Sequence, residues 1–142
     1  MKNVTFLAIL LVVIFLINGC SDDSSNNNLN SSAPAPNSIS GKSYRITINF
    51  GTGLFATAGK TVVVFSNTAD TYKALGDGVY SFNSSGSYTY TANGSQGDVA
   101  IVDSALSNSS FILTYTSSTT GTYQALAKSD PDSTQTGSFI EL

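Results

Sequence analysis

The chain has 142 residues, with six Lys and Arg against nine Asp and Glu, and therefore a formal net charge of −3. This acidic balance argues against nucleic-acid binding, which rewards clusters of basic side chains. The absence of histidine removes the usual general base, pH switch and imidazole metal ligand, and the single cysteine cannot form an internal disulfide.

The first twenty residues have the organisation of an export signal. Lys2 precedes an apolar run over residues 4–17, broken only by Thr5, and small residues follow before Cys20. As a helix the run would be about 21 Å long, which is short of the ~30 Å hydrocarbon core of a membrane. Residues 1–19 are therefore predicted to be a removed signal peptide rather than a permanent membrane span.

The four residues Ile17-Asn18-Gly19-Cys20 resemble the lipobox of bacterial lipoproteins. The resemblance implies cleavage before Cys20 and a diacylglyceryl thioether on its sulfur. Two or three long acyl chains hold a protein at a membrane almost permanently. By the same resemblance, Ser21 in place of an aspartate after the cysteine favours the outer membrane in a Gram-negative host.

Residues 20–40 are predicted to be the lipidated cysteine followed by a disordered linker. Ser, Asn, Asp and Pro dominate this stretch, and it contains no aromatic residue. Such a composition cannot bury enough apolar surface to offset the entropy lost on ordering. We expect the linker to hold the following domain clear of the lipid surface.

Residues 41–142 predict one all-β domain. Apolar and polar residues alternate with a period of two along residues 44–50, 88–92 and 111–115, which is typical of half-buried antiparallel strands. Glycine, Asn and Asp mark turns between the alternating segments. The predicted strands cover residues 42–50, 53–57, 61–66, 70–75, 78–83, 86–92, 98–103, 109–117, 121–127 and 134–141.

Short strands at even spacing favour a meander, and closing the meander removes its exposed edges. We predict an eight-stranded up-and-down β-barrel, with an immunoglobulin-like β-sandwich as the alternative. A repeated Gly-Ser/Thr-Tyr/Phe unit begins at Gly86, Gly121 and Gly137. We interpret it as a turn glycine, an outward hydroxyl and an inward aromatic ring. The units resemble small Gly/Thr/Tyr-rich β-domains of secreted and lipid-anchored bacterial proteins, which mostly have no assigned activity.

No residue set in the domain predicts catalysis. Asp77 is interpreted as a turn residue, and Asp98 and Asp103 as solvated strand ends rather than a glycosidase carboxylate pair. Residues 130–132 are interpreted as an Asp-Pro turn rather than calcium ligands. With no histidine and with Cys20 assigned to lipid, we predict no enzymatic activity, no metal and no cofactor.

Two functions remain open. The first is a lipid-anchored, non-enzymatic surface domain that has a structural role or binds an envelope protein or glycan. The alternative is a lipocalin-like carrier of a small apolar ligand. Tyr44, Tyr88, Tyr90 and Tyr115 are predicted to lie in the core, and a core filled by such large side chains places the carrier second. Membrane contact is expected through the lipid on Cys20.

Overall fold

The computed structural model describes residues 32–55, 57–68, 70–103 and 108–142. The predicted signal peptide, Cys20 and residues 21–31 of the predicted linker lie outside the described residues. The described chain forms eight β-strands and one 3₁₀ helix, Gly53–Phe55. The strands are β1 Ser43–Gly51, β2 Thr61–Ser66, β3 Thr71–Gly76, β4 Asn83–Asn93, β5 Gln96–Asp103, β6 Ser109–Tyr115, β7 Thr120–Ala127 and β8 Asp130–Glu141.

The eight strands form one closed antiparallel barrel in which each strand pairs with the next along the chain. The barrel closes where β8 pairs with β1, with Phe139 opposite Ile46. Closure gives every strand two partners and leaves no unpaired sheet edge, which is the physical advantage of a barrel over an open meander. The predicted up-and-down barrel is confirmed, and the sandwich alternative is wrong.

Alternation along the strands separates the barrel interior from its outer wall. Tyr44 and Ile48 of β1, Tyr88 of β4 and Tyr115 of β6 are buried, as their period-two positions predict. Tyr90 of β4 is half-buried. The rings of Tyr44 and Tyr115 both contact Phe139 edge-on, with ring centroids 6.0 Å and 5.0 Å apart. The period of the pattern therefore predicted which residues face the core.

Two of the ten predicted strands are wrong. Residues 53–57 contain the 3₁₀ helix, and residues 78–83 form the connection between β3 and β4, with only Asn83 in a strand. Phe55 is buried within the first segment, whereas Val79 is fully exposed in the second. Both segments have strand-like composition, but both lie at the same end of the barrel, where the chain turns over its rim.

The predicted turn at residues 130–132 is also displaced. Residues 128 and 129 form a two-residue connection, because Ala127 pairs with Asp130 at the start of β8. The hydroxyl of Ser133 and the backbone N–H of Asp132 both donate to the Asp130 carboxylate. Asp130 therefore organises the first residues of β8 just after the turn.

The domain begins earlier than residue 41. The backbone N–H of Ala33 donates to the Tyr115 carbonyl at 3.1 Å, and that of Ala35 donates to the Gly94 carbonyl at 2.9 Å. Ala35 and Ile39 are buried in the core. Residues 32–42, called here the N-terminal segment, therefore close one end of the barrel. The predicted linker boundary is corrected accordingly, because sparse apolar residues sufficed to dock this segment.

The glycines of the repeated unit lie inside strands rather than at turns. Gly121 in β7 pairs with Phe139 in β8, and Gly137 in β8 pairs with Tyr123 in β7. Each missing side chain leaves room for the aromatic ring of its partner. The outward hydroxyl and inward aromatic residues of the unit are as predicted. The repeat is therefore a cross-strand packing device, and its interpretation as a turn signal is wrong.

Within the described part of the chain, no helix is both long enough and apolar enough to cross a membrane.

Candidate ligand-binding cavity

The sequence predicted one site residue, the lipidated Cys20, and it lies outside the described residues. The described residues instead contain a site that the sequence did not predict, an apolar cavity of about 160 Å³ inside the barrel. Side chains from β1 to β6, β8, the N-terminal segment and the 3₁₀ helix surround it. The lining includes Ile39, Tyr44, Ile46, Ile48, Phe55, Val62, Val64, Ser66, Tyr72, Ala74, Tyr80, Phe82, Ser84, Tyr88, Val99, Ile101, Phe111, Leu113, Gln135 and Phe139.

Several inward positions around the cavity carry small side chains. On β2, β3 and β4 the inward positions include Ser66, Ala74 and Ser84, which are small. Large inward rings are also present, with Tyr72 and Tyr88 in the cavity wall and Tyr115 and Tyr123 elsewhere in the core. The expectation of a completely filled core is wrong, because a cavity remains among these side chains.

One end of the cavity is closed by the N-terminal segment. Ile39 lines the cavity and is buried. Its carbonyl accepts a hydrogen bond from the hydroxyl of Ser66 in β2. The hydroxyl of Tyr90 donates to the Pro36 carbonyl at 2.8 Å, which fixes the segment beneath β4. The floor of the cavity is thus made of residues that lie within the predicted linker, residues 20–40.

The opposite end forms the mouth of the cavity. Leu54 lines the cavity and is half exposed, so the cavity reaches the surface beside the 3₁₀ helix. Phe55 is buried next to it and packs edge-on against Phe111, with ring centroids 6.2 Å apart. Across the mouth, Tyr80 and Phe82 stack with centroids 5.9 Å apart. Aromatic side chains therefore frame the entrance.

Most polar side chains in the cavity wall are already engaged with the protein. The Gln135 amide donates to the Phe55 carbonyl and to Thr57 Oγ1, and its oxygen accepts from Tyr123 at 2.9 Å. The Ser66 hydroxyl is within hydrogen-bond reach of the Ile39 and Lys42 carbonyls. The interior therefore presents a mainly apolar surface despite its hydroxyl groups.

A buried polar cluster includes two residues of this wall, Tyr72 and Ser84. The hydroxyls of Tyr72 and Ser84 both donate to the carboxylate of Asp103. All three side chains are buried, and Asp103 is only 8 % exposed. Burial raises the pKa of Tyr72 above its usual range, and the Asp103 carboxylate raises it further. The cluster thus holds a carboxylate inside an otherwise apolar barrel.

The strand register explains how the cluster forms. Tyr72 of β3 pairs with Gly86 of β4, and Gly86 pairs in turn with Asp103 of β5. Gly86 lies between them in the register, and a Cβ atom there would overlap the carbonyl oxygen of Val102 in β5. Ser84 lies two residues from Gly86 and faces the same side. The cluster therefore spans three neighbouring strands, with Gly86 between its two main members.

Asp103 corrects a prediction from the sequence. It was interpreted as a solvated strand end, but it is the last inward position of the series Val99, Ile101 and Asp103 on β5. Continuing the alternation from Ile101 to the next inward position would have identified Asp103 as a buried residue. The other two carboxylates considered for catalysis lie elsewhere: Asp98 is exposed, and Asp77 pairs with Arg45 at 3.2 Å on the surface.

Tyr44 and Tyr115 contribute two further buried hydroxyls near the closed end. Neither hydroxyl makes a hydrogen bond to any residue that the structure describes. Burial raises the pKa of both tyrosines above the usual range. The Tyr44 hydroxyl raises the pKa of Tyr115 further, whereas the Tyr115 hydroxyl lowers the pKa of Tyr44.

A scan against protein-family models, a search of curated proteins and a search of solved structures each found no match to this chain.

Proposed function

We propose that this chain is a lipid-anchored, non-enzymatic binding protein of the bacterial cell envelope whose barrel holds a small apolar ligand. The proposal rests on the cavity of about 160 Å³, which is apolar, closed at one end and open at the other. An engineered cavity of about 150 Å³ in another protein binds benzene. The cavity size therefore favours a ligand no larger than one aromatic ring or a short aliphatic molecule.

The position of the N-terminal segment supports the link between anchor and cavity. In our proposal the lipid on Cys20 attaches the protein to a membrane, the outer membrane in a Gram-negative host. Residues 21–31 are the tether between Cys20 and this segment in our proposal. They join the barrel at its closed end, so the mouth lies on the side away from the point of attachment. Ligand would therefore exchange with the aqueous side.

The outer wall offers less support for a surface-contact function. Its exposed apolar side chains are separated by polar neighbours in the strand register. Phe65 lies opposite Ser43 and Lys73, and Ile140 lies opposite Arg45 and Thr120. Single exposed apolar residues are normal on protein surfaces. We therefore place the binding function in the interior rather than in contact with an envelope protein or glycan.

The binding proposal is tested by titrating the full-length, detergent-solubilised lipoprotein with benzene while NMR follows the methyl groups of Val62 and Val64. Both residues line the cavity, so their resonances report occupancy rather than partition into detergent. We expect saturable shifts. Ala74→Leu fills part of the cavity and should abolish them. Ala92→Leu adds the same volume at an exposed position of β4 and should leave them unchanged.

Two results would reject the binding proposal. One is the absence of saturable shifts at Val62 and Val64 in the folded protein. The other is an equal response in the Ala74→Leu variant, because ligand would then bind outside the cavity. Circular dichroism of each variant establishes that the barrel is folded before the titration.

Anchoring is tested separately by mass spectrometry of the mature protein. We expect the first residue to be Cys20 carrying a diacylglyceryl group, and Cys20→Ser to release the protein from the membrane fraction. A mature N-terminus at another residue, or an unmodified Cys20, would reject the lipoprotein assignment while leaving the cavity proposal standing.

A further inference from the structure

The wall of the cavity carries a chemical asymmetry that bears on which ligands it accepts. A hydroxyl group has one hydrogen to donate and two lone pairs that accept. Tyr72 and Ser84 both line the cavity, and both direct their hydrogen to the Asp103 carboxylate. Each hydroxyl oxygen therefore retains only acceptor capacity for a molecule in the cavity.

Other hydroxyl groups of the cavity wall also donate their hydrogen to acceptors within the protein. Ser66 donates to backbone carbonyls, Thr57 donates to the Phe55 carbonyl at 3.4 Å, and Tyr88 donates to the Asn67 carbonyl at 3.4 Å. Tyr44 is the exception, since its hydroxyl makes no hydrogen bond to the described residues. The polar part of the wall is thus biased towards acceptors.

We propose that the Tyr72–Ser84–Asp103 cluster makes the barrel selective for small apolar molecules that carry a hydrogen-bond donor, such as a hydroxyl or an amine. This inference rests on the proposed binding function and specifies the ligand class for the same cavity. A donor on the ligand can pair with the oxygen of Tyr72 or Ser84. A ligand that carries only an acceptor meets two oxygen atoms there and has no hydrogen to share with them.

The carboxylate is what fixes this preference. In its ionised form Asp103 accepts hydrogen bonds and donates none, so it holds both hydroxyl hydrogens away from the cavity. An Asn at this position would offer an amide that donates to one of the two oxygens. One hydroxyl would then be free to turn its hydrogen towards the ligand. Asp103 is therefore a specificity-determining residue that acts through Tyr72 and Ser84.

The test compares three probes of nearly equal size on the full-length protein: benzene, phenol as a donor, and neutral pyridine as an acceptor. Affinities come from the same Val62 and Val64 methyl titrations, and each is expressed relative to benzene. We expect Asp103→Asn to lower the phenol-to-benzene ratio by about tenfold and to raise the pyridine-to-benzene ratio. Asp98→Asn, an exposed carboxylate change on the same strand, should alter neither ratio.

A second variant protects the test if Asp103→Asn does not fold. Tyr72→Phe removes one acceptor oxygen and keeps the ring, so it should also lower the phenol-to-benzene ratio. Unchanged ratios in both folded variants would overturn the selectivity inference while benzene binding upheld the proposed function. Loss of benzene binding in the wild-type protein would instead reject the proposed function. Pyridine binding that exceeds phenol binding and disappears in Tyr44→Phe would also overturn the inference, because the Tyr44 hydroxyl would then set the preference.

Discussion

The close approach of β8 to its neighbours at Gly137 yields a sharp prediction for stability. Gly137 lies in the middle of β8, opposite Ile48 of β1 and Tyr123 of β7. A Cβ atom built at Gly137 would overlap the carbonyl oxygen of Thr47 and lie 2.7 Å from Cε1 of Tyr123. The Tyr123 ring could shift, but the Thr47 carbonyl belongs to the backbone of β1. Gly137→Ala therefore has to push β8 away from β1.

The expected cost follows from two effects. Overpacking of a well-packed interior destabilises a protein by about 1–3 kcal/mol. Separation of the strands also weakens a ladder hydrogen bond, which contributes about 1 kcal/mol. We expect Gly137→Ala to lower the free energy of unfolding by about 3 kcal/mol. For a domain of this size that corresponds to a fall in melting temperature of about 13 °C.

Urea unfolding followed by circular dichroism measures this change directly. Ser138→Ala is the matched control, because it alters the next residue of β8, whose side chain faces outward, and it should change stability by less than about 0.5 kcal/mol. If Gly137→Ala proved as stable as the Ser138→Ala control, the wall of the barrel would yield at little cost. The account of Gly137 as a required close-approach position would then be refuted.

Three further predictions concern the termini, the buried tyrosines and a surface ion pair. A chain that begins at Ser32 should unfold in urea like the longer protein. A chain that begins at Gly41 should have a free energy of unfolding lower by about 3 kcal/mol, because it lacks the buried Ile39 and Ala35. Equal unfolding midpoints would show that the N-terminal segment does not stabilise the barrel. Burial raises the pKa of five tyrosines, so the unfolded chain loses phenolic protons near pH 10 while the folded chain keeps them. The free energy of unfolding should therefore fall as pH rises above about 10. Coincident tyrosinate titrations of the folded and the urea-unfolded protein would contradict this. The Lys42–Glu141 pair, 2.8 Å apart and partly exposed, should contribute less than about 1 kcal/mol, so Lys42→Gln should barely shift the unfolding midpoint at high salt.

The fold was largely predictable because its main signal is local. Inward and outward residues alternate with a period of two, and this places Tyr44, Tyr88 and Tyr115 in the core wherever the neighbouring strands lie. The same reasoning failed for residues 53–57 and 78–83. Their composition suits a strand, but whether a segment pairs or crosses the rim depends on the lengths of its neighbours.

The N-terminal boundary was missed for a related reason. Residues 32–40 have the composition of a linker, and only the end of the barrel gives Ala35 and Ile39 a surface on which to be buried. Short apolar side chains in a polar segment carry almost no periodic signal. Their burial is a property of the site that receives them.

The amino-acid sequence by itself determined the all-β class, the meander order and the inward side of each strand, because these depend on alternation and on turns between neighbouring residues. Only the tertiary structure decided that the barrel encloses a cavity, and that the hydroxyl of Tyr72 reaches Asp103. The physical reason is that a sequence shows the direction of each side chain along its own strand. It does not show which side chains stand opposite across the barrel, and that determines both the empty volume and the buried carboxylate.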